Sequence, residues 1–409
     1  MVTAMAASVK ALVKHELLVW ARTSAHLSVE DAARKAQVKE EQLAAWEQGE
    51  GQPSIPQLRK LGRAYKRPLA VFYLPAPPKA FDALRDFRRL PAEMAGRQSP
   101  DLAFEIRRAR AWREIALDLY QELTAEEPRA FQSTASLTED PEVVAARLRD
   151  LLGVKRTEAA SWRNVYDAFN RWRGALEEAG VLVFQAEDVE VSEIRGFSLS
   201  ERLFPAVVVN IKDAVVGRIF SMLHEATHLM LREGGLCDLR EETSRAQERI
   251  EAFCNHVAGA TLMPRTRILE EGMVRLHKGT QWADEEIALL AQAYRVSREA
   301  VVRRLLMLGK TTEDFYRRKR KQLQAEFEAQ QEEAQQRKAL GLEAGGFAPP
   351  DRMAVSTAGP FFVRLVLESY HQEKITPNDL SSFLEVRLKH VPKIEHAVLA
   401  RSAALGGHV

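Results

Sequence analysis

The sequence predicts a mainly α-helical fold with one small β-sheet, class α+β, and three observations carry this prediction. Apolar residues recur at the three-to-four-residue spacing of helices along most of the 409-residue chain. Three runs in its middle are instead rich in β-branched residues and predict strands, at 181–185, 194–200 and 205–210. Breaks containing proline or glycine, at 74–81 and 341–352, predict more than one domain, as does the length.

Five segments are predicted in chain order, with boundaries at 1–75, 76–98, 99–312, 313–350 and 351–409. The first is a module of short helices, the second a proline-rich linker, and the third contains the strands. The fourth is a charged helix with its linker, and the fifth is a small helical module for which the sequence shows no chemistry. Ser99 is expected to cap the long helix that opens the third segment, and Pro377 to lie in the first turn of a helix in the fifth.

The composition is that of an ordinary globular protein, with 46% hydrophobic and 28% charged residues. The 59 Lys and Arg residues against 57 Asp and Glu leave a formal charge of +2, so any nucleic-acid surface must be local. Two cysteines, Cys237 and Cys254, cannot build a disulfide framework. Together with the lack of a secretory signal or a long apolar span, this predicts a cytoplasmic protein without membrane contact.

The run SMLHEATHLML, 221–231, carries the chemistry of the third segment. On a helix predicted at about 212–232, His224 and His228 lie four residues apart and face the same way, which suits two ligands of Zn²⁺. Glu225 beside them can reach a water whose pKa zinc lowers, take its proton and pass it to a leaving amine. Gly234 and Gly235 are expected to end this helix.

A third zinc ligand is expected on the next predicted helix, 244–263. Glu251 is the best candidate, with Glu248 and His256 as alternatives. Asn255, four residues after Glu251, is placed to hold a ligand in position, and His256 is also a candidate for stabilising an oxyanion.

Three alternatives stay open around this motif. The metal can be structural, or the enzyme latent. Cys237 lies close enough in sequence to approach the metal, although a thiol without a role is the simpler interpretation. PAVVVN, 205–210, is predicted to be an edge strand that pairs with an extended peptide, and the alternative is a plain core strand.

The runs VVVNIKDAVVGRIFSMLHEATHLMLREGG and IEAFCNHVAGATLMP resemble the ImmA/IrrE family of intracellular metallopeptidases. The resemblance implies a zincin-like peptidase domain over 99–312, in which His224, His228 and Glu251 bind zinc and Glu225 is the catalytic base. Family members are linked to the cleavage of transcriptional repressors of stress or mobile-element genes. Thr227 departs from the family, where Gly often precedes the second His, and we expect the change to be tolerated.

Residues 27–65, LSVEDAARKAQVKEEQLAAWEQGEGQPSIPQLRKLGRAY, resemble an Xre-type helix-turn-helix. In such motifs the start of the second helix, here about 39–48, enters the major groove. Two glutamates at that start oppose phosphate binding. If DNA is bound, the candidate contacts are Arg22, Arg34, Lys35, Lys39 and Gln42. The alternative is that the same fold serves as a module for protein docking or for dimerisation, in which case the chain can form a homodimer.

Three further signals are interpreted as structural. Residues 283–309 resemble a second helix-turn-helix, a segment that the ImmA/IrrE resemblance places on the peptidase core. The basic run 317–321 is predicted to be the solvated face of a long helix. Trp112, Trp162 and Trp172 are predicted to lie in the core.

Two functions follow from these features. The first is a zinc endopeptidase that cuts a repressor or another regulatory protein, with Zn²⁺ as its cofactor. The second rests on the resemblance to Xre–ImmA/IrrE fusions that are predicted antitoxins. Such a chain binds a toxin and operator DNA, with little or no proteolysis.

Overall fold

The structure is a computed structural model that describes residues 10–25, 27–67, 69–77, 99–128, 130–154, 162–231, 244–340 and 349–404. These residues are mainly helical and contain one small sheet, so the predicted fold class is confirmed. They form two compact units, Met1–Arg108 and Ala109–Val409. Among the described helices, none combines the length and the apolar character that a membrane-spanning helix needs.

The first unit is a bundle of short helices. Its helices are α1 His15–Ser24, α2 Val29–Ala36, α3 Glu40–Glu47 and α4 Ile55–Ala64, while α5 Pro100–Thr124 continues into the second unit. The Ser28 hydroxyl accepts a hydrogen bond from the Asp31 amide and caps α2, because an N-terminal turn leaves its amides without helical partners. The predicted linker lies largely outside the described residues.

The second unit holds the sheet and the helices around it. Its elements are, in order, α6 Pro141–Leu151, α7 Val165–Glu178, β1 Leu182–Ala186, β2 Gly196–Leu199, β3 Ala206–Asn210, α8 Val215–Leu231 and α9 Ser244–Leu262. Then follow α10 Arg265–Glu270, α11 Gly272–Leu276, α12 Asp284–Tyr294, α13 Arg298–Met307, α14 Glu313–Ala339, α15 Pro350–Ala358, α16 Pro360–His371, α17 Pro377–Phe383 and α18 Val391–Ala404. The predicted glycine end of α8 lies outside the described residues.

The sheet has the order β1-β3-β2, with β1 parallel and β2 antiparallel to β3. The prediction that 205–210 is an edge strand is therefore wrong, and the core-strand alternative is right. All five residues of β3 are buried, which agrees with an uninterrupted apolar run in a strand that has neighbours on both sides. The outer strand on the side of α8 is β2.

Asn210, at the end of β3, ties the loops around the sheet together. Its side-chain amide donates to the carbonyls of Val189 and Ile194, at 3.0 and 2.9 Å. Its side-chain oxygen accepts from the Lys212 amide at 2.9 Å. The loop before β2 and the turn before α8 are thus held to one residue, which fixes β2 relative to α8.

The C-terminal helices pack on the other side of the sheet, against β1. The Gln185 amide donates to the Ser356 carbonyl at 2.7 Å, and the Arg173 guanidinium donates to the same carbonyl at 2.8 Å. The rings of Phe184 and Phe362 meet edge to face, with centroids 6.1 Å apart. The helix α15 therefore packs against β1, at the opposite end of the strand order from β2.

The signals interpreted as structural behave as expected. Trp112 and Trp172 are buried, and Trp162 is half-buried against the ring of Trp172. The segment 283–309 forms α12 and α13 and packs on the core through Arg304, whose guanidinium donates to the Met263 carbonyl at 2.9 Å. The basic run lies on α14 and is largely exposed.

Candidate metal centre

Two helices of the second unit bring three donor side chains together. On α8, the Nε2 atoms of His224 and His228 lie 3.0 Å apart. On α9, the two carboxylate oxygens of Glu251 lie 3.3 Å from these two nitrogens, one from each. The candidates predicted from sequence to be zinc ligands therefore meet at one point.

These separations fit a zinc ion. Zinc–nitrogen and zinc–oxygen bonds of about 2.0–2.1 Å at tetrahedral angles place neighbouring ligand atoms about 3.3 Å apart. The observed distances of 3.0 to 3.3 Å match that edge length. Two imidazoles and one carboxylate are also a donor set that catalytic zinc sites use.

Asn255 orients the first histidine. Its side-chain oxygen lies 3.1 Å from Nδ1 of His224, where it accepts the ring N–H. This bond fixes the tautomer and leaves Nε2 with its lone pair toward the donor cluster. The prediction that Asn255 holds a metal ligand in place agrees with this geometry.

Glu225 lies between α8 and the outer strand. Its Oε2 accepts a hydrogen bond from the Ser198 hydroxyl of β2 at 3.1 Å, and the residue is buried. The approach is close because Gly196 has no side chain. A Cβ there would lie 2.9 Å from the Val208 carbonyl oxygen and 3.5 Å from Cγ of Glu225.

Family models agree with this architecture. The model of the IrrE N-terminal-like domain, a peptidase family, matches residues 176–306, and a helix-turn-helix model matches residues 18–72. The chain joins an Xre-type helix-turn-helix to an ImmA/IrrE-type domain. We refer to these parts as the helix-turn-helix module and the IrrE-like domain.

Comparisons with whole proteins add little. No curated protein is similar enough to this chain to count as a relative. A solved structure described as a Mycobacterium tuberculosis transcriptional regulator has 15% identity and a TM-score of 0.30 over 47% of this chain. The chain spans about half of that regulator, since the match covers 51% of its length.

Thr227 stands where the family pattern often has Gly. The residue is fully buried, and its hydroxyl donates to the Leu223 carbonyl at 2.9 Å. The polar atom is therefore satisfied within α8, as buried threonines in helices commonly are.

His256 lies elsewhere than expected. Its Nε2 is 3.0 Å from Oε1 of Glu142 on α6, and the same carboxylate receives two hydrogen bonds from Arg304. One residue after Asn255, the side chain is rotated by about 100° around the helix and faces α6 instead of α8. Its predicted place beside the metal, as a ligand, supporting group or oxyanion donor, is not supported. The other alternative ligand, Glu248, is exposed.

Cys254 is a residue of the centre that the sequence analysis missed. Its sulfur and one ring nitrogen from each of His224 and His228 all lie within 4.8 Å of one another. The signal was present, because Cys254 follows Glu251 by three residues and shares its side of α9. The other cysteine, Cys237, lies outside the described residues.

The groups around His228 favour its protonated form. Burial lowers the pKa of the imidazole, but Cys254, Glu251 and Glu225 together outweigh it and raise that pKa to about 10. The pKa of the Cys254 thiol is raised overall, because burial and the charges of Glu251 and Glu225 outweigh the lowering effect of His228. Acceptors thus surround the imidazole densely enough to favour a positive charge in a buried site.

The predicted DNA contacts divide into two groups. The Arg22 side chain, 15% exposed, is held by Glu47 through two short hydrogen bonds of 2.8 Å and also donates to the Leu27 carbonyl. This geometry favours a structural role for Arg22 over a phosphate contact. Arg34 is exposed and paired with Asp31, and the other three predicted contacts are exposed: Lys35, Lys39 and Gln42.

Proposed function

We propose that the chain is a zinc-dependent endopeptidase that cuts a transcriptional repressor or another regulatory protein. The observation that carries the proposal is the convergence of His224, His228 and Glu251, with Glu225 beside them. The helix-turn-helix module brings this activity to DNA or to a DNA-bound protein.

Each residue of the candidate centre has its own role in the proposed reaction. The two histidines and Glu251 hold the zinc, which when bound supplies a Lewis acid that makes water acidic near neutral pH. Glu225 accepts a proton from the attacking water and delivers it to the leaving amine. The Ser198 hydroxyl donates to one oxygen of this carboxylate and so helps to fix its orientation.

The backbone groups on the outer edge of β2 are suited to pair with a peptide substrate. The Arg195 carbonyl accepts from the Asn210 amide at 2.9 Å, just before the pair Gly196 and Val209. Because hydrogen-bonded and non-bonded pairs alternate in antiparallel strands, the backbone groups of Gly196 and Ser198 face away from β3. An extended peptide that pairs with them passes alongside Glu225.

The helix-turn-helix module supplies the second half of the proposal. Lys35, Lys39 and Gln42 are exposed on α2, at the start of α3 and within α3, where such motifs meet DNA. Glu40 and Glu41 at the start of α3 weaken phosphate binding, so we propose modest affinity that falls steeply with salt. Gel shift of the upstream DNA at two salt concentrations tests this, and no binding at low salt contradicts it.

The decisive experiment compares the wild type with Glu225→Gln. Both proteins should contain about one zinc per chain by elemental mass spectrometry, because Glu225 is not a ligand. Only the wild type should produce new N-termini when incubated with a proteome-derived protein mixture and analysed by mass spectrometry. Equal cleavage by the wild type and Glu225→Gln, or no cleavage by either the zinc-loaded wild type or a zinc-loaded Cys254→Ala variant, contradicts the peptidase.

A second candidate is an antitoxin or regulator that acts by binding a toxin and operator DNA. The exposed acidic start of α3 favours it, because this surface suits a basic protein partner better than DNA. Complementation separates the two functions. If Glu225→Gln restores the phenotype of a deletion strain as well as the wild type does, binding and not proteolysis is the function.

A further inference from the structure

Cys254 lies in the metal centre, yet the proposed mechanism gives it no task. Its sulfur and a ring nitrogen from each of the two histidines lie within 4.8 Å of one another. The side chain is fully buried in the main core of the second unit. A cysteine that only fills space in such a core has apolar neighbours, whereas this sulfur lies beside two imidazoles.

The position of Cys254 on α9 complements that of Glu251. The two residues are three apart, so they project from the same side of the helix toward α8. The Glu251 side chain is 24% exposed, whereas Cys254 is fully buried. The next residue, Asn255, already contacts His224, which shows that this turn of α9 faces the centre.

We propose that Cys254 is a fourth protein ligand of the metal centre. This inference rests on the proposed zinc site and adds one donor to the two histidines and Glu251. Zinc accepts sulfur readily, and bond lengths of about 2.3 Å to sulfur and 2.0–2.1 Å to nitrogen place these atoms about 3.6 Å apart. Since the donors lie within 4.8 Å, side-chain rotation and a closure of about 1 Å bring the sulfur to bonding distance.

With Cys254 as a fourth ligand, the resting centre would have no coordination position left for water. Four protein ligands complete a tetrahedral site, whereas a catalytic site keeps one position for water. Cys254 must therefore leave before water can enter and Glu225 can act on it. The thiol gives a proton to solvent when it binds and regains one when it leaves, so the exchange needs no oxidant or reductant.

Cobalt substitution tests the proposal directly. Full-length protein loaded with Co²⁺ should show a sulfur-to-cobalt charge-transfer band in the near ultraviolet and visible bands of four-coordinate cobalt. Cys254→Ala and Cys254→Ser should lose the first band and keep visible bands. The chain has two cysteines, so Cys237→Ala is the matched control and should keep both.

Zinc affinity, from competition with a chromogenic chelator, should fall by at least about 10-fold in both Cys254 variants, since loss of groups that only support a ligand already costs that much. A purely structural role can also weaken binding, but it leaves no sulfur band in the wild type. Bound cobalt without that band overturns this inference and spares the proposed metal site, while failure to bind cobalt or zinc overturns both. If circular dichroism shows that Cys254→Ala is unfolded, the wild-type and Cys254→Ser spectra decide.

Discussion

The side-chain oxygen of Asn255 lies 3.1 Å from Nδ1 of His224, while Nε2 of the same ring lies 3.3 Å from Glu251. One turn of α9 thus supplies both a proposed metal ligand, Glu251, and the group that orients the proposed ligand His224 on α8. Replacement of such supporting groups weakens metal binding because the ring is then free to rotate and to change tautomer.

We expect Asn255→Ala to lower zinc affinity about 10- to 100-fold without unfolding the protein. Asn255→Asp should retain most of the affinity, since a carboxylate oxygen also accepts the Nδ1 proton. Chelator competition measures both. Equal loss in the two variants would contradict the orienting role, because only the alanine removes the acceptor.

The outer edge of β2 gives a prediction about substrate binding. Ser198→Pro removes an amide that faces away from β3, and it also removes the hydroxyl that holds Glu225. Ser198→Ala removes only the hydroxyl. We expect kcat/KM on a cleaved peptide to be at least about tenfold lower for the proline variant than for the alanine variant. The reason is that only the proline variant loses the backbone hydrogen bond from residue 198 to the substrate. Zinc content should be unchanged in both, and equal kcat/KM values would argue against strand pairing.

Glu142 gives a prediction about stability and pH. Burial raises the pKa of this carboxyl, but hydrogen bonds from His256 and Arg304 outweigh it and lower the pKa to about 2. A carboxyl whose pKa is lowered by folding stabilises the folded state when the pH is above its pKa in the unfolded state. This stabilisation is lost as the pH falls to its pKa in the folded state. Glu142→Gln should therefore lower the free energy of unfolding by about 3 kcal/mol at pH 7 and about half of that at pH 3.

Urea titrations at the two pH values measure this difference. Glu139→Gln is the control, because Glu139 also pairs with an arginine, Arg147, but at the surface, and its loss should change stability far less. A loss in Glu142→Gln that is the same at pH 7 and pH 3 would show that packing, and not charge, explains the destabilisation.

In the helix-turn-helix module, Arg22 has a structural environment, whereas Lys35 is a proposed DNA contact. Arg22→Ala leaves Glu47 largely buried without its partner, so unfolding of this module should become easier by about 3 kcal/mol. Lys35→Ala, on an exposed position of α2, should leave stability unchanged and reduce the salt dependence of DNA binding by about one ion. Thermal unfolding and gel shifts at several salt concentrations distinguish the two residues, and normal stability in Arg22→Ala would contradict the structural assignment.

Local patterns were enough to predict the class of the fold and the elements that carry the site. Spacing along a helix placed His224 and His228 on one face, and β-branched runs marked all three strands, because these signals depend only on neighbours in sequence. The resemblance to known families identified both the helix-turn-helix and the IrrE-like domain, which family models match.

Tertiary structure alone decided how those elements face one another. The strand at 205–210 was predicted at the edge and lies in the centre, since strand order depends on the path of the chain and not on the strand itself. His256 turned to Glu142 and Arg22 to Glu47 because each met a carboxylate from a distant segment. Cys254 lies beside the two histidines because α9 packs on α8. This packing determines which side of each helix forms the candidate site, and no single segment of the sequence specifies it.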